Sequence, residues 1–373
     1  MEFLVNSQTL VDELTNLIGV VHTTNSLPIL NNVLFELDNN RLQLTTSDLE
    51  TTLSSVIQVE SKEKAVFCLP ARMLYDALKT FHPQPLTFSK NDKQITFVSK
   101  KGRFQLVSAP GYDYPKPLEI PKPESIKIPV DLLNKGLHNT LFAVGPPELR
   151  KVLTGVFFHF DRDRTNLVST DGHKLVCFGL NSVTHQESVE FIVPKRTLSL
   201  LKNILMVSEG EVNIEYNKTN VRFSVDSSVV TCKLIDGKFP NYKNVFPPES
   251  DLPNVLTIDR LLFKSLIDRS VHFASRTGSE VSLKLEGSSM VINAKNTDYN
   301  HSSVESINCD YNGDDLDITF NARFLSEMLK TLDTQFVQLK MGLPTSISIL
   351  IPFIEEDKQQ QDHQIEMLIM PTR

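Results

Sequence analysis

Apolar residues follow a helical rhythm at three places in the chain, each preceded by a short strand-like run. In each case an apolar residue closes the run, and five residues later the first of three apolar positions at i, i+4 and i+8 begins, which is the spacing of one buried helical face. The closing residues are Val5, Ile128 and Ile258. The helical sets are Leu10/Leu14/Ile18, Leu133/Leu137/Leu141 and Phe263/Ile267/Val271. The sets begin 123 and 130 residues apart, which fits whole domains and is too long for solenoid repeats.

A second helix is predicted in each repeat, after a second strand-like run. Its start is marked by a motif that recurs at spacings of 124 and 127 residues: Pro70-Ala71-Arg72, Pro194-Lys195-Arg196 and Asn321-Ala322-Arg323. From the first residue of each motif, apolar residues fall at +4, +7 and +11, again as one buried stripe. They are Leu74/Ala77/Phe81, Leu198/Leu201/Leu205 and Leu325/Met328/Leu332. Two landmarks in the same order indicate three tandem domains of one design.

The remaining segments alternate between apolar and polar residues, as half-buried antiparallel strands do. Clear examples are the runs 33–37, 221–225 and 281–285, and polar turns such as 38–40, 217–220 and 286–289 join them into hairpins. A turn with Asp recurs between equivalent strands, at Ser47-Asp48, Thr170-Asp171 and Thr297-Asp298. The predicted fold class is therefore α+β, with two helices packed on antiparallel sheets in each domain.

Proline-rich segments at 114–123 and 246–248 mark the predicted domain boundaries. They divide the chain into domains 1–120, 121–248 and 249–373, each long enough for a core of its own.

Composition and charge favour a cytoplasmic protein. The sequence begins without a basic-then-apolar signal segment and contains no apolar run of about 18 residues, so we expect neither secretion nor membrane insertion. Four scattered cysteines without a CxxC pair favour free thiols in a reducing compartment.

Motifs for catalysis are nearly absent. The chain has no GxxxxGK[ST], HExxH, GxSxG or strand-linked GxGxxG, so we expect no enzyme activity, no cofactor and no metal. Asp171-Gly172-His173 could suggest a general base, but a base also needs a substrate site and an orienting partner. A hairpin turn that recurs in all three repeats is the favoured interpretation.

Positive charge recurs on one face of the second helices, although the net charge of the protein is −7. Arginine occupies the +2 position in all three motifs, and lysine follows seven residues later in the first and third: Arg72, Arg196, Arg323, Lys79 and Lys330. These positions project almost opposite the apolar stripe. In the second repeat Lys202 stands on a flank of this face. Ordinary solvated side chains are the simpler explanation for one helix, but agreement between repeats favours contact with a phosphate backbone without base reading.

Further motifs resemble one protein family over the full length of the chain. They are Ser26-Leu27-Pro28-Ile29-Leu30, Ser47-Asp48-Leu49-Glu50, Leu69-Pro70-Ala71-Arg72, Thr170-Asp171-Gly172-His173-Lys174-Leu175, Asp236-Gly237-Lys238-Phe239-Pro240-Asn241-Tyr242 and Met370-Pro371-Thr372-Arg373. In this order they resemble the bacterial sliding clamps, the β subunit of DNA polymerase III. The resemblance implies a DNA-clamp domain repeated three times, with two chains assembled head-to-tail into a ring that has its helices inside.

The resemblance also implies a function. Such a homodimer encircles duplex DNA without reading its sequence, slides along it in the cytoplasm at the nucleoid, and tethers the replicative DNA polymerase and other clamp-binding proteins. A clamp loader complex driven by ATP opens the ring, so the nucleotide belongs to the loader.

The resemblance assigns three groups of residues. The partner-peptide cleft would contain Leu153, Thr170, Gly172, His173, Lys174, Leu175, Pro240, Val245, Asn321, Phe324, Leu368, Met370, Pro371 and Arg373. The dimer interface would contain Arg103, Phe104 and Leu106 of one chain and His272 and Phe273 of the other, with Asp298 and Glu305 as acidic partners for the basic edge. Arg150 and Lys151 would add DNA contacts to those of the second helices.

Two other classes of function remain open from the residues alone. One is a repeat-built peptide-binding scaffold that does not encircle DNA, and the other is a hydrolase that uses Asp171 and His173. Replacing His173 by Ala would abolish turnover in a hydrolase, whereas in a clamp it would weaken peptide binding.

Overall fold

The computed structural model describes residues 1–21, 27–91, 93–275, 277–354 and 362–372. Ser26 of the first family motif and Arg373 of the predicted cleft lie outside the described residues. The predicted pairs of helices are confirmed in all three repeats. The first helices are α1 (Ser7–Leu17), α3 (Val130–Thr140) and α5 (Arg260–Val271). The second helices are α2 (Ala71–Leu78), α4 (Lys195–Leu205) and α6 (Ala322–Thr331).

Antiparallel strands occupy most of the remaining chain. The first repeat has β1 (Glu2–Asn6), β2 (Asn32–Asp38), β3 (Arg41–Ser47), β4 (Thr51–Gln58), β5 (Lys64–Pro70), β6 (Pro85–Asn91), β7 (Gln94–Val98), β8 (Arg103–Val107) and β9 (Ala109–Pro110). The second has β10 (Glu124–Pro129), β11 (Gly155–Phe160), β12 (Thr165–Thr170), β13 (Lys174–Leu180), β14 (Val189–Pro194), β15 (Glu211–Tyr216), β16 (Asn220–Val225) and β17 (Ser228–Lys233). The third has β18 (Asn254–Asp259), β19 (Glu280–Glu286), β20 (Ser289–Asn296), β21 (His301–Asn308), β22 (Asp310–Asn312), β23 (Leu316–Asn321), β24 (Phe336–Met341), β25 (Ser348–Phe353) and β26 (His363–Ile369).

The chain packs into two compact units, each of which combines parts of neighbouring repeats. The first comprises Met1–Asn134 with Arg196–Leu234. Its sheets have the strand orders β1-β6-β7-β8 and β10-β15-β16-β17-β4-β3-β2-β5-β9. The larger sheet is continuous across two repeats, because β17 pairs with β4 and places Val230 opposite Leu53.

The second unit comprises Lys135–Lys195 with Ile235–Arg373. Its sheets have the strand orders β14-β11-β12-β13-β26-β25-β24-β18-β22 and β21-β20-β19-β23. Here β13 of the second repeat pairs along its whole length with β26 of the third. Residues 174–180 and 363–369 therefore share one rigid surface, on which the candidate cleft is built.

The predicted apolar stripes form most of the buried faces of the helices, but Ile18, Ala77 and Val271 are only half-buried. Leu10, Leu14, Leu133 and Leu137 are fully buried, as are Leu198 and Leu201 on α4. The stripe of α1 ends at Leu17 and not at Ile18, which is only half-buried. Phe81 lies three residues past the end of α2, where its ring contacts Phe97 and Phe104.

The recurring turn is confirmed in the first two repeats and built differently in the third. The Asp48 carboxylate accepts backbone N–H groups from Glu50 and Thr51. In the third repeat Asn296, and not Asp298, is the acceptor, since its side-chain oxygen receives the N–H groups of Asp298 and Tyr299. In the third repeat the side chain that accepts the turn hydrogen bonds is therefore two residues before the predicted Asp298.

Cys68, Cys177 and Cys232 are buried free thiols, and Cys309 is a half-buried one, as predicted. Burial raises the pKa of the Cys177 and Cys232 thiols to about 12, which makes them unreactive packing residues. Within the described residues, no helix has the length and apolar character needed to cross a membrane.

Candidate functional site

The turn at Asp171 is held by its own side chain. One carboxylate oxygen accepts the backbone N–H groups of His173 and Lys174, both at 2.9 Å, and the other accepts from the Lys174 ammonium at 2.7 Å. Gly172 has a φ of +91° with open space at its missing Cβ, so glycine suits the turn by conformation and not by packing. The His173 ring lies against Phe324 at 6.0 Å between centroids, which leaves the carboxylate and the imidazole in separate structural roles.

Lys174 is a buried cation with three compensating partners. Its side chain is 5% exposed. Its ammonium pairs with Asp171 at 2.7 Å and Glu327 at 3.3 Å, and lies 4.0 Å from the centroid of the Phe324 ring. Burial alone would raise the pKa of Asp171, but hydrogen bonds from Lys174 and His173 hold that pKa below its usual value. This cluster fixes one wall of the candidate cleft.

The C-terminal segment is anchored beside this turn. The Met370 N–H donates to the carbonyl oxygen of His173 at 3.0 Å, and the Thr372 N–H donates to that of Thr319 at 2.8 Å. Asn321 caps α6 by accepting two backbone N–H groups, and its own amide donates to the Gly278 carbonyl at 3.0 Å. The tail and the start of α6 are therefore placed together with the Asp171 turn.

The floor of the candidate cleft is apolar. Leu175 and Leu368 stand opposite each other on β13 and β26, and with Leu153 they belong to one buried cluster. Val245 is 39% exposed and Met370 is 47% exposed. Pro240 is half-buried. An apolar floor beside accessible apolar side chains and fixed polar groups is the architecture of a peptide-binding groove.

Other members of this floor were missed by the sequence analysis. Phe239, Tyr242 and Ile349 are buried in the same cluster as Leu175 and Leu368. Phe239 and Tyr242 stand in the motif 236–242 and Ile349 lies more than 100 residues later, and no periodicity assigns the three to a shared site.

Two arginines of the first unit, Arg196 and Arg72, bond to backbone carbonyls. The guanidinium of Arg196 bonds to Asp48 at 2.9 Å and to the carbonyls of Gly19 and Val20, and that of Arg72 bonds to the Val21 carbonyl. These carbonyls follow the end of α1, where the helix dipole favours a cation. Arg72 is nevertheless exposed, whereas Arg196 shares its charge with Asp48.

Two lysines in this unit are also constrained. Lys79 at the end of α2 pairs with Asp76 at 2.5 Å. Lys202 on α4 is half-buried, and this burial lowers its pKa.

The second unit carries more accessible cations. Lys151 begins a short helical turn ahead of β11, and Arg150 directly precedes it. Arg323 and Lys330 lie on α6, and all four side chains are exposed. Among the described residues, none of the four takes part in an ion pair. By contrast, Arg260 on α5 is used internally, since it donates to the carbonyls of Leu329 and Thr334.

Three family models match successive parts of the chain. They describe the N-terminal domain of the DNA polymerase III β subunit at residues 1–118, the central domain at 127–241 and the C-terminal domain at 243–373. The chain belongs to the DNA polymerase III β subunit family. These proteins are the β sliding clamps, so the chain is a processivity factor of DNA replication and not an enzyme.

Individual clamps agree with this assignment over their full length. The β sliding clamp of Pseudomonas putida is 30% identical over 353 residues, which cover 94% of this chain and 95% of that protein. The clamp of Haemophilus influenzae is 26% identical over 375 residues, covering 100% of both. The crystal structure of the Pseudomonas aeruginosa clamp bound to griselimycin has a TM-score of 0.93 at 26% identity and covers 100% of this chain and 99% of that one.

The residues predicted to form a dimer interface lie on two edge strands, β8 and β21, and after α5. Phe104 is 38% exposed and its ring stacks on Phe97, whereas Leu106 is buried within its own unit. Arg103 and His272 are exposed, and Phe273 is 41% exposed. The Glu305 carboxylate is already bonded to Arg269 at 2.6 Å, so its charge is shared within the chain.

Proposed function

We propose that two copies of this chain close head-to-tail into a ring that encircles duplex DNA and slides along it. The exposed cations on corresponding second helices carry this proposal, chiefly Arg72, Arg323 and Lys330. Exposed cations on a helix attract the phosphates of DNA whatever its base sequence. The net charge of −7 discourages binding of DNA elsewhere on the protein. Weak, sequence-independent contacts permit sliding, while the closed ring prevents dissociation.

The ring would close between β8 of one chain and β21 of the next. Each of these strands ends its sheet, and edge strands expose unpaired backbone groups that favour pairing with a further strand. Val107 on β8 and Val304 on β21 are 70% and 68% exposed, which gives both edges apolar surface to bury. A contact between two different edges forms a closed ring when its rotation fits.

The cleft at the Asp171 turn would hold short peptide segments of the replicative polymerase, the clamp loader and other clients. Leu175 and Leu368 supply the floor for apolar anchors, and Val245 and Met370 supply accessible apolar contacts. Their arrangement beside the Lys174 cluster supports binding of an extended peptide through a few buried anchors.

Primer extension tests tethering through this cleft. Met370→Asp places a charge among the apolar contacts of an exposed position, so the fold is retained while client binding falls by about tenfold or more. With a loader, ATP and the replicative polymerase on a primed circular template, products become shorter than with the wild type. Tyr112→Asp, at an 86% exposed position far from the cleft in sequence, is the matched control. Products of wild-type length from Met370→Asp would contradict the proposed cleft.

A further inference from the structure

A buried histidine lies behind the candidate cleft. His159 on β11 is 9% exposed, and its Nδ1 lies 2.8 Å from the hydroxyl of Tyr242. Its Nε2 lies 3.3 Å from the hydroxyl of Ser188. Both imidazole nitrogens therefore have a partner, and the two partners come from segments distant in sequence.

Tyr242 connects this histidine to the cleft. It begins the short helical turn Tyr242–Val245, which ends at the cleft residue Val245. Another cleft residue, Pro240, stands two positions before Tyr242. The Tyr242 ring is buried beside Phe157, which itself stacks on Phe239 at 4.6 Å. The hydrogen bond between the Tyr242 hydroxyl and His159 on β11 connects this segment to the sheet.

The two contacts of the His159 ring fit a neutral imidazole. In the neutral tautomer that carries its proton on Nε2, Nδ1 accepts from the Tyr242 hydroxyl and Nε2–H donates to Ser188. Protonation of Nδ1 would reverse this bond, so that Nδ1–H donates to the Tyr242 oxygen and the buried Tyr242 hydroxyl proton loses its acceptor.

Several charged groups face this imidazole. Asp161 lies 3.7 Å from Nε2, and Lys243 lies 3.7 Å from the same Asp161 carboxylate. Glu190 is the residue opposite His159 on β14. Burial first, and Lys243 second, lower the pKa of His159, although Asp161 and Glu190 oppose them. The imidazole is thus neutral at pH 7 and gains its proton at a lower pH than an ordinary histidine.

We propose that His159 is a positioning residue of the partner-peptide cleft, whose protonation leaves the Tyr242 hydroxyl proton without its acceptor and loosens the segment from Pro240 to Val245. This inference rests on the proposed function of the cleft. Client binding weakens as the pH falls and His159 gains its proton, because the floor under the apolar contacts loses a fixed position. The effect reaches the peptide through Tyr242, since His159 itself is buried beneath the cleft.

Peptide affinity as a function of pH tests the inference. The probe is a fluorescein-labelled peptide of about ten residues with leucine and phenylalanine anchors, measured by anisotropy from about pH 7.5 to about pH 4.5. For the wild type, Kd rises about tenfold across this range, the effect of one lost hydrogen bond. His159→Asn places an amide oxygen near the position of Nδ1, so it keeps the acceptor for Tyr242 but cannot titrate. Its Kd stays near the neutral wild-type value throughout.

Two further variants separate positioning from general stability. His159→Ala and Tyr242→Phe each weaken binding at neutral pH, and the double variant is no weaker than either alone, because both remove the same bond. His185→Asn, in the loop before β14, retains the wild-type pH profile. His173 also lines the cleft, so the comparison that decides is wild type against His159→Asn and not the wild-type profile alone.

The outcomes are distinguishable. A His159→Asn profile identical to that of the wild type would overturn the inference and leave the cleft intact. An additive double variant would also overturn it. Wild-type protein that binds the peptide at no pH would overturn the proposed cleft itself, and the inference with it.

Discussion

At the level of single residues, local motifs were more predictable than their partners. Asp171, Gly172 and His173 were identified as a turn from the sequence, because a side-chain acceptor and a glycine define such a turn over four positions. The pairing of Lys174 with Glu327 and Phe324 was not predictable, since these residues lie about 150 positions away and meet only through tertiary packing. The hydrogen bond between His159 and Tyr242 was not predictable either, because these residues also meet only through tertiary packing.

The Asp171 cluster predicts a graded loss of stability. Asp171→Ala removes a buried ion pair and leaves two backbone N–H groups without their acceptor, so we expect the free energy of unfolding to fall by about 3 kcal/mol. Asp171→Asn keeps the backbone bonds and loses less. Asp163→Ala, at an exposed position in the turn before β12, changes it by no more than about 0.5 kcal/mol. Urea unfolding at neutral pH measures all three.

The same carboxylate gives this stability a direction with pH. Because the pKa of Asp171 is lower in the folded protein than in the unfolded chain, its contribution is present above about pH 4 and is lost as the pH falls further. In the urea experiment at neutral pH, an equal fall in the free energy of unfolding for Asp171→Ala and Asp171→Asn would show that the turn hydrogen bonds contribute nothing to stability.

At the level of elements, helix positions followed from apolar periodicity, whereas the use of individual charges did not. The stripe Leu325, Met328 and Leu332 predicts α6 closely, because burial of one face dictates its spacing. The same logic places Arg196 on the opposite face of α4, but Asp48 and two carbonyls engage it there. A pattern along one helix does not show which groups another element brings to it.

The α6 cations predict a change in the salt dependence of DNA binding. Removing Arg323 and Lys330 together by alanine substitution should reduce the slope of log K against log salt by about 1.8, the value for two lost phosphate contacts. Anisotropy of a labelled duplex at several salt concentrations measures this slope. Lys218→Ala with Lys233→Ala removes the same charge from an exposed hairpin turn and strand end, and should leave the slope unchanged. Equal slopes for the two double variants would exclude α6 as a DNA-contacting element.

At the level of the whole molecule, the sequence predicted the threefold repetition and the α+β class, and the family comparisons confirm both. It did not predict the continuous sheets that join repeats through β17 with β4 and β13 with β26. Such pairing links strands up to about 190 residues apart, and alternation within each strand does not specify its neighbour. The division at residues 120 and 248 remains a prediction, as do the ring and its contacts.

The proposed ring holds DNA by encircling it. The direct measurement is retention of purified protein on nicked circular DNA, after loading by a loader complex with ATP, before and after a restriction enzyme linearises the circle. We predict retention on the circle and release after cutting, because a closed ring leaves only over a free end. Equal retention on circular and linear DNA would contradict encirclement in favour of electrostatic binding, and retention on neither would favour a peptide-binding scaffold.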